Sequence, residues 1–167
     1  MSTVFKYFLL LSMLPVSAVA CGGSESDEYI LYSDSRNGNS EIFIMDTDGT
    51  NLRQQLTNNN DNDDAPAWSP KGNRIAFQSD RDGDWEIFVM DSNGSDVRQL
   101  TNGGVISSEQ PAWSPNGKQI AFSSDRDGDL EIFVMDADGS NLRQLTENQS
   151  AVDVYPDWSP NGKQIAF

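Results

Sequence analysis

Three tryptophans, Trp68, Trp113 and Trp158, stand 45 residues apart, and three glutamates that open an EIF word, Glu41, Glu86 and Glu131, keep the same interval. A period in the 40s with several short apolar words per unit constrains the fold severely. Each unit is one small module that buries its faces only against neighbouring copies. The fullest unit, Pro111 to Thr146, reads as four short strands: PAWS (111–114), QIAFSS (119–124), EIFVMD (131–136) and LRQLT (142–146). The connectors are Pro115-Asn116-Gly117, Arg126-Asp127-Gly128 and Ala137-Asp138-Gly139-Ser140. In Ser114-Pro115-Asn116-Gly117 the proline presets the second position of a type I turn and the glycine closes it; the Asp-Gly words supply local acceptors and a residue tolerant of positive φ. Successive strands are therefore antiparallel hairpins. The runs IAF and IFVM are continuous rather than alternating, which predicts sheets covered on both faces.

Laid along the whole chain, the pattern gives a partial unit at 29–57, two full units at 66–101 and 111–146, and a shortened one at 156–167. The expected fold class is all-β, a partial β-propeller of about three four-stranded antiparallel blades. An open array leaves sheet edges exposed, so the sequence is expected to be a piece of a longer product, or to associate with itself. Two copies would form a homodimer with a ring of about six blades.

The chain has 167 residues, a net charge of −15 and no histidine. With no Lys/Arg cluster, the electrostatic footprint of a nucleic-acid binder is missing. The lack of histidine removes His-based relays and His-ligated zinc. One cysteine excludes an internal disulfide. Residues 1–20 carry a single positive charge at Lys6, an apolar run from Tyr7 to Val16 and small residues before Cys21, the layout of an export signal. Ala18-Val19-Ala20-Cys21 is similar to a bacterial lipobox, which makes Cys21 the candidate lipidation site and implies an exported, membrane-anchored protein of the cell envelope or periplasm. The polar stretch 21–28 reads as a tether.

WSPNGKQIAFSSDRDG followed by EIFVMDADGSNLRQLT resembles the TolB-like group of WD-type β-propeller repeats, and the likeness extends from about Tyr29 to Phe167. The resemblance implies a six-bladed propeller that binds peptide-like segments of partner proteins. The same repeats occur in bacterial lipoproteins and as propeller domains attached to serine peptidases. The expected function is a non-catalytic exported scaffold for a protein or peptide partner. The alternative is the accessory propeller of an enzyme such as a serine peptidase, whose catalytic domain is missing from this sequence.

Positions held in every copy serve what each blade needs. Trp68, Trp113 and Trp158, with Phe77 and Phe122 and with Met45, Met90 and Met135, are assigned to the core between blades. Arg36, Arg81 and Arg126 precede Glu41, Glu86 and Glu131 by five residues, a spacing that suggests charge pairs across the hairpin. In an up-and-down blade the second-to-third turn and the blade-to-blade linker emerge at the same end. That end collects Asp80, Asp82, Asp84, Asp125, Asp127 and Asp129 with linkers 58–65, 102–110 and 147–155. The linkers differ while the blades repeat, so the partner-binding candidates are Asp61, Asp63, Asp64, Glu109, Asp153 and Tyr155. The aspartates Asp80, Asp82, Asp84, Asp125, Asp127 and Asp129 offer hard oxygens for Ca2+, although glycine at the fourth position of Asp80-x-Asp82-Gly-Asp84 does not fit an EF-hand loop. The competing reading is an ordinary Asp-Gly turn with solvated carboxylates. No cofactor other than that cation is expected.

Overall fold

The computed structural model describes residues 29–35, 38–49, 52–104, 106–148 and 151–167. Cys21, the leader and tether, and Arg36 lie outside them. All regular structure among the described residues is strand, arranged in four antiparallel sheets in chain order. The first is β1 (Tyr29–Asp34), β2 (Glu41–Asp46) and β3 (Leu52–Gln55). The second is β4 (Asp63–Trp68), β5 (Arg74–Ser79), β6 (Glu86–Asp91) and β7 (Arg98–Gln99). The third is β8 (Ser108–Trp113), β9 (Gln119–Ser124), β10 (Glu131–Asp136) and β11 (Arg143–Gln144). A two-stranded sheet of β12 (Asp157–Trp158) and β13 (Ile165–Ala166) follows. Each strand pairs with the next in sequence, as hairpin connections require, so the architecture is an unclosed array of propeller blades.

The turn chemistry operates as the sequence predicts. Gly72, Gly117 and Gly162 each donate to the serine carbonyl three residues back at 2.8 Å, and the serine Oγ accepts from the main-chain N–H of Arg74, Gln119 and Gln164 respectively, at or just before the start of the next strand. The remaining hairpins repeat that closure, with Gly83 and Gly128 bound to Asp80 and Asp125 at 2.9 Å.

The continuous apolar runs are covered on both sides: five successive residues are buried in each of β5, β6, β9 and β10. Trp68 joins Leu31, Ile42 and Ile44 of the first sheet to Ile75, Phe77, Phe88 and Met90 of its own. One period later Trp113 joins Ala76, Ile87 and Val89 to Ile120, Phe122, Phe133 and Met135. Trp68 and Trp113 therefore fill the space between blades, whereas Trp158 and Met45, expected in the same core, are only partly buried and outside both clusters. Burying one such aromatic is worth roughly 2–3 kcal/mol, and shared interfaces of this kind stabilise a repeat array.

The first strand of the second and third sheets begins earlier than the PAWS word suggests. Asp63 and Asp64 pair with Ser79 and Gln78, and Ser108 and Glu109 pair with Ser124 and Ser123, before the register slips ahead of Ala67 and Ala112. The last three residues of linkers 58–65 and 102–110 are therefore strand, interrupted by a bulge, while 147–155 stays outside any strand. The bulge residues Ala65 and Gln110 have φ of 47° and 57°, and Tyr155 repeats that value at 57°. Strain of about 1 kcal/mol or more recurs at this one position, held by the surrounding ladder. The fourth strand is shorter than LRQLT, only two residues in β7 and β11, because it is the exposed outer edge.

Candidate functional site: the acidic loop end

The second-to-third turns and the linkers meet at one end, as topology requires. Asp80 accepts from the main-chain N–H of Asn62 at 2.6 Å and from its Nδ2 at 2.7 Å. Asp125 does the same for the Ser107 N–H at 2.8 Å. These two aspartates clamp the start of the inner strand to the turn. Asp82 and Asp127 accept from the side-chain amides of Gln99 and Gln144, which tie the turn to the outer strand.

The expected pairing of arginine with glutamate is not what forms. Arg81 makes two bonds to Asp63, at 2.9 and 3.1 Å, and its guanidinium lies 4.7 Å from the Phe88 ring centroid and 5.7 Å from that of Phe77. Arg126 sits likewise over Phe133 and Phe122, at 4.8 and 5.6 Å, and donates to Ser108 where the preceding blade has Asp63. Each arginine is drawn over the stacked phenylalanine pair by the negative ring faces, which leaves its fork directed at the inner strand rather than along the hairpin. Asp63 is fully buried and also accepts from Asn59 Nδ2 at 2.6 Å, so this partner-binding candidate is a structural counter-charge inside the blade. The signal was present in the sequence as the 18-residue offset from Asp63 to Arg81, repeated from Ser108 to Arg126.

The other candidates lie nearer the surface. Asp61 is half-buried, its carbonyl held by Asn39 Nδ2 at 2.6 Å. Asp64 accepts from the Ser33 hydroxyl and from the Ala65 N–H at 2.7 Å, which caps the bulge. Asp153 accepts from Asn148 Nδ2 at 3.0 Å. Tyr155 is 58% exposed, and its N–H donates to Gln110 Oε1 at 3.0 Å, joining the linker to the bulge of the preceding blade. Glu109 is half-buried, and its pKa is pushed up first by burial and then by Asp125. Asp84 is raised by desolvation, Asp82 and the same Asp125. Asp129 is raised by desolvation and then by Glu131, Asp127 and Asp153. Carboxylates from two blades and a linker therefore share one negative field.

Of the six calcium candidates, the structure brings only part together. Among the described residues one trio of acids, Asp82, Asp84 and Glu86, places an oxygen from each within 4.8 Å of the others. Asp80 and Asp125 are occupied as clamps, and Asp127 and Asp129 form no such trio. The five-residue spacing pairs Glu86 with Arg81. Instead it is fully buried, accepts from the Gly103 N–H, and is raised by burial, an effect tempered by Thr101 and Gly103 and reinforced by Asp84 and Asp82. Thr101 lies close by, its hydroxyl accepting from the Ile87 N–H at 2.8 Å, yet no donor reaches Glu86 Oε2 with hydrogen-bond geometry.

Stacked four-stranded antiparallel sheets, each sealed to the next by a tryptophan and each turning an acidic hairpin to the same end, define a β-propeller repeat protein. The chain belongs to the TolB beta propeller domain family, whose sequence profile matches residues 23–110 and 102–167. Among solved structures it is similar to a TolB-type protein from Agrobacterium tumefaciens, with 29% identity and a TM-score of 0.74 over 82% of this chain and 48% of that one. TolB from Acinetobacter baumannii is 29% identical with a TM-score of 0.68, over 83% of this chain and 34% of the other. The chain thus spans about half of the first of these proteins and a third of the second. A nidogen/laminin complex component, 14% identical with a TM-score of 0.68 over 83% of this chain and 51% of that one, shares the fold alone. No curated protein matches the chain.

Proposed function

We propose that the chain is a non-catalytic exported propeller scaffold whose acidic loop end binds a cationic segment of a protein or peptide partner. The observation that carries this is the gathering at one end of the carboxylates of two second-to-third turns with those of the strands and linkers beside them, where Asp84 and Glu109 are raised first by desolvation and then by neighbouring carboxylates, Asp125 among them. Such a surface favours positively charged segments and speeds their encounter. Tyr155, exposed beside it, is an aromatic of the kind that anchors interfaces. Glu109, Asp153 and Tyr155 are the contact residues, with Asp61 and Asp64 at the next linker. The same proposal places the protein in the bacterial envelope, lipidated at Cys21; incorporation of labelled palmitate that persists in Cys21→Ser would count against the anchor. It also holds open a homodimer that completes a ring of about six blades.

Capture of envelope proteins by the wild-type chain and by a Glu109→Gln, Asp153→Asn, Tyr155→Ala variant tests the surface. Partners lost in the variant and at high salt support it; the same partners captured undiminished by the variant refute it. The propeller of a larger peptidase is the rival reading. A solved puromycin hydrolase matches 66% of this chain at 18% identity with a TM-score of 0.55, a likeness of fold alone.

A further inference from the structure

Asp82, Asp84 and Glu86 alternate along the turn into β6, a spacing of two that brings side chains of a strand to one side. One carboxylate oxygen from each lies within 4.8 Å of the other two. Glu86 is fully buried, and both its Oε2 and Asp84 Oδ2 are buried without a hydrogen bond. An unpaired buried oxygen on a charged group is costly, and here two residues of one close acidic trio each carry one.

The other blades show two ways of relieving this crowding. In the first blade the residue at the position of Asp84 is Asn39, whose Nδ2 donates to Glu41 Oε1 at 2.8 Å. Glu41 Oε2 is also unpaired, but its neighbour at that position is a neutral amide and not a second carboxylate. In the third blade the acid remains as Asp129, and the linker supplies donors instead. Asn148 reaches Glu131 through its main-chain N–H at 2.6 Å and its Nδ2 at 3.3 Å, and the Thr146 hydroxyl donates as well. The second blade has neither side-chain amide. Asp84 cannot donate, and the linker residue two beyond the threonine is Gly103, which offers only its main-chain N–H.

We propose that Asp82, Asp84 and Glu86 bind a divalent cation of the size of Ca2+, which replaces the amide donors of the neighbouring blades. Ca2+ takes oxygens at about 2.3–2.6 Å in flexible geometry, and three carboxylate oxygens that all lie within 4.8 Å of one another can reach a single ion at that distance. Asp82 is exposed, so water completes the six to eight oxygens that Ca2+ takes.

The test is calorimetric titration of the purified chain with CaCl2 alone, for the wild type, Asp84→Asn and Asp129→Asn. Asp84→Asn installs the residue that the first blade already carries, so the fold accommodates it; its melting temperature in EDTA is expected to be no lower than that of the wild type. Wild type and Asp129→Asn bind Ca2+ with a Kd of about 10⁻⁴–10⁻³ M, and Asp84→Asn binds roughly tenfold more weakly or not at all. Absence of saturable binding to the wild type at several millimolar, or unchanged affinity in Asp84→Asn, overturns the site. An equal loss in Asp129→Asn overturns its assignment to the second blade.

Discussion

Gly49 and Gly94 occupy the same place in successive blades, closing the turn after the EIF strand, yet substitution by alanine should affect them very differently. Both have positive φ, +71° and +86°, so any side chain meets backbone strain of about 1 kcal/mol. A Cβ on Gly49 finds nothing within 4 Å, whereas on Gly94 it would sit 2.6 Å from the carbonyl oxygen of Leu56 in the preceding blade. That oxygen belongs to a chain segment fixed by the Leu56 N–H bond to the Ile42 carbonyl at 2.8 Å, so the blades must separate locally. Overpacking of this kind costs about 1–3 kcal/mol. Gly49→Ala should therefore lose about 1 kcal/mol and Gly94→Ala about 2–4 kcal/mol, measured as urea midpoints at constant slope. Gly139, 3.0 Å from the Leu100 carbonyl oxygen by the same measure, should fall between them. Equal losses at Gly49 and Gly94 would show that strain alone sets the cost, and the inference that these turns seat one blade against the next would be wrong.

Asp63→Ala should cost about 2–3 kcal/mol, because it leaves the Arg81 guanidinium without its counter-charge, while Asp63→Ser, which reproduces the Ser108–Arg126 arrangement, should cost less than half of that. Denaturation of both variants decides it, and indistinguishable losses would remove the pair from the blade's stabilising contacts. For Glu109 the sign follows from its raised pKa: the folded state holds the proton more tightly than the unfolded one, so stability is highest below the ordinary value of 4.5 and is lost as pH rises through the folded pKa. Glu109→Gln should flatten the decline above 4.5; urea midpoints from pH 4 to 7 that keep the wild-type slope would refute this.

The strands carrying apolar words were legible residue by residue: QIAFSS and EIFVMD coincide with β9 and β10. Their continuous burial needs β-branched and aromatic residues, which leave a plain sequence signal. The start of the inner strand leaves none. Asp63-Asp64 and Ser108-Glu109 are held by ladder pairing, turn clamps and a bulge ahead of proline, and polar residues in such a place read as a loop. The same blindness placed Asp63 on the surface and sent Arg81 to Glu86. Glu86 itself became visible as a member of an acidic trio only when the period of two was continued forward from Asp82 and Asp84 into the strand.

The first blade has one more residue in its outer strand than the others, LRQQLT against VRQLT, and the register slips between Ile44 and Met45 to admit it. The linker that follows is one residue shorter, so Glu41 still precedes Glu86 by 45 positions. Length is thus conserved from one EIF strand to the next, not within the outer strand or the linker taken singly. The rim of the array behaves as slack and the linker as its take-up, which keeps the angular step between blades constant while their outer contours vary. An inserted loop at β3 or its counterparts would be absorbed at the periphery, whereas one ahead of β4 or β8 would shift every blade beyond it.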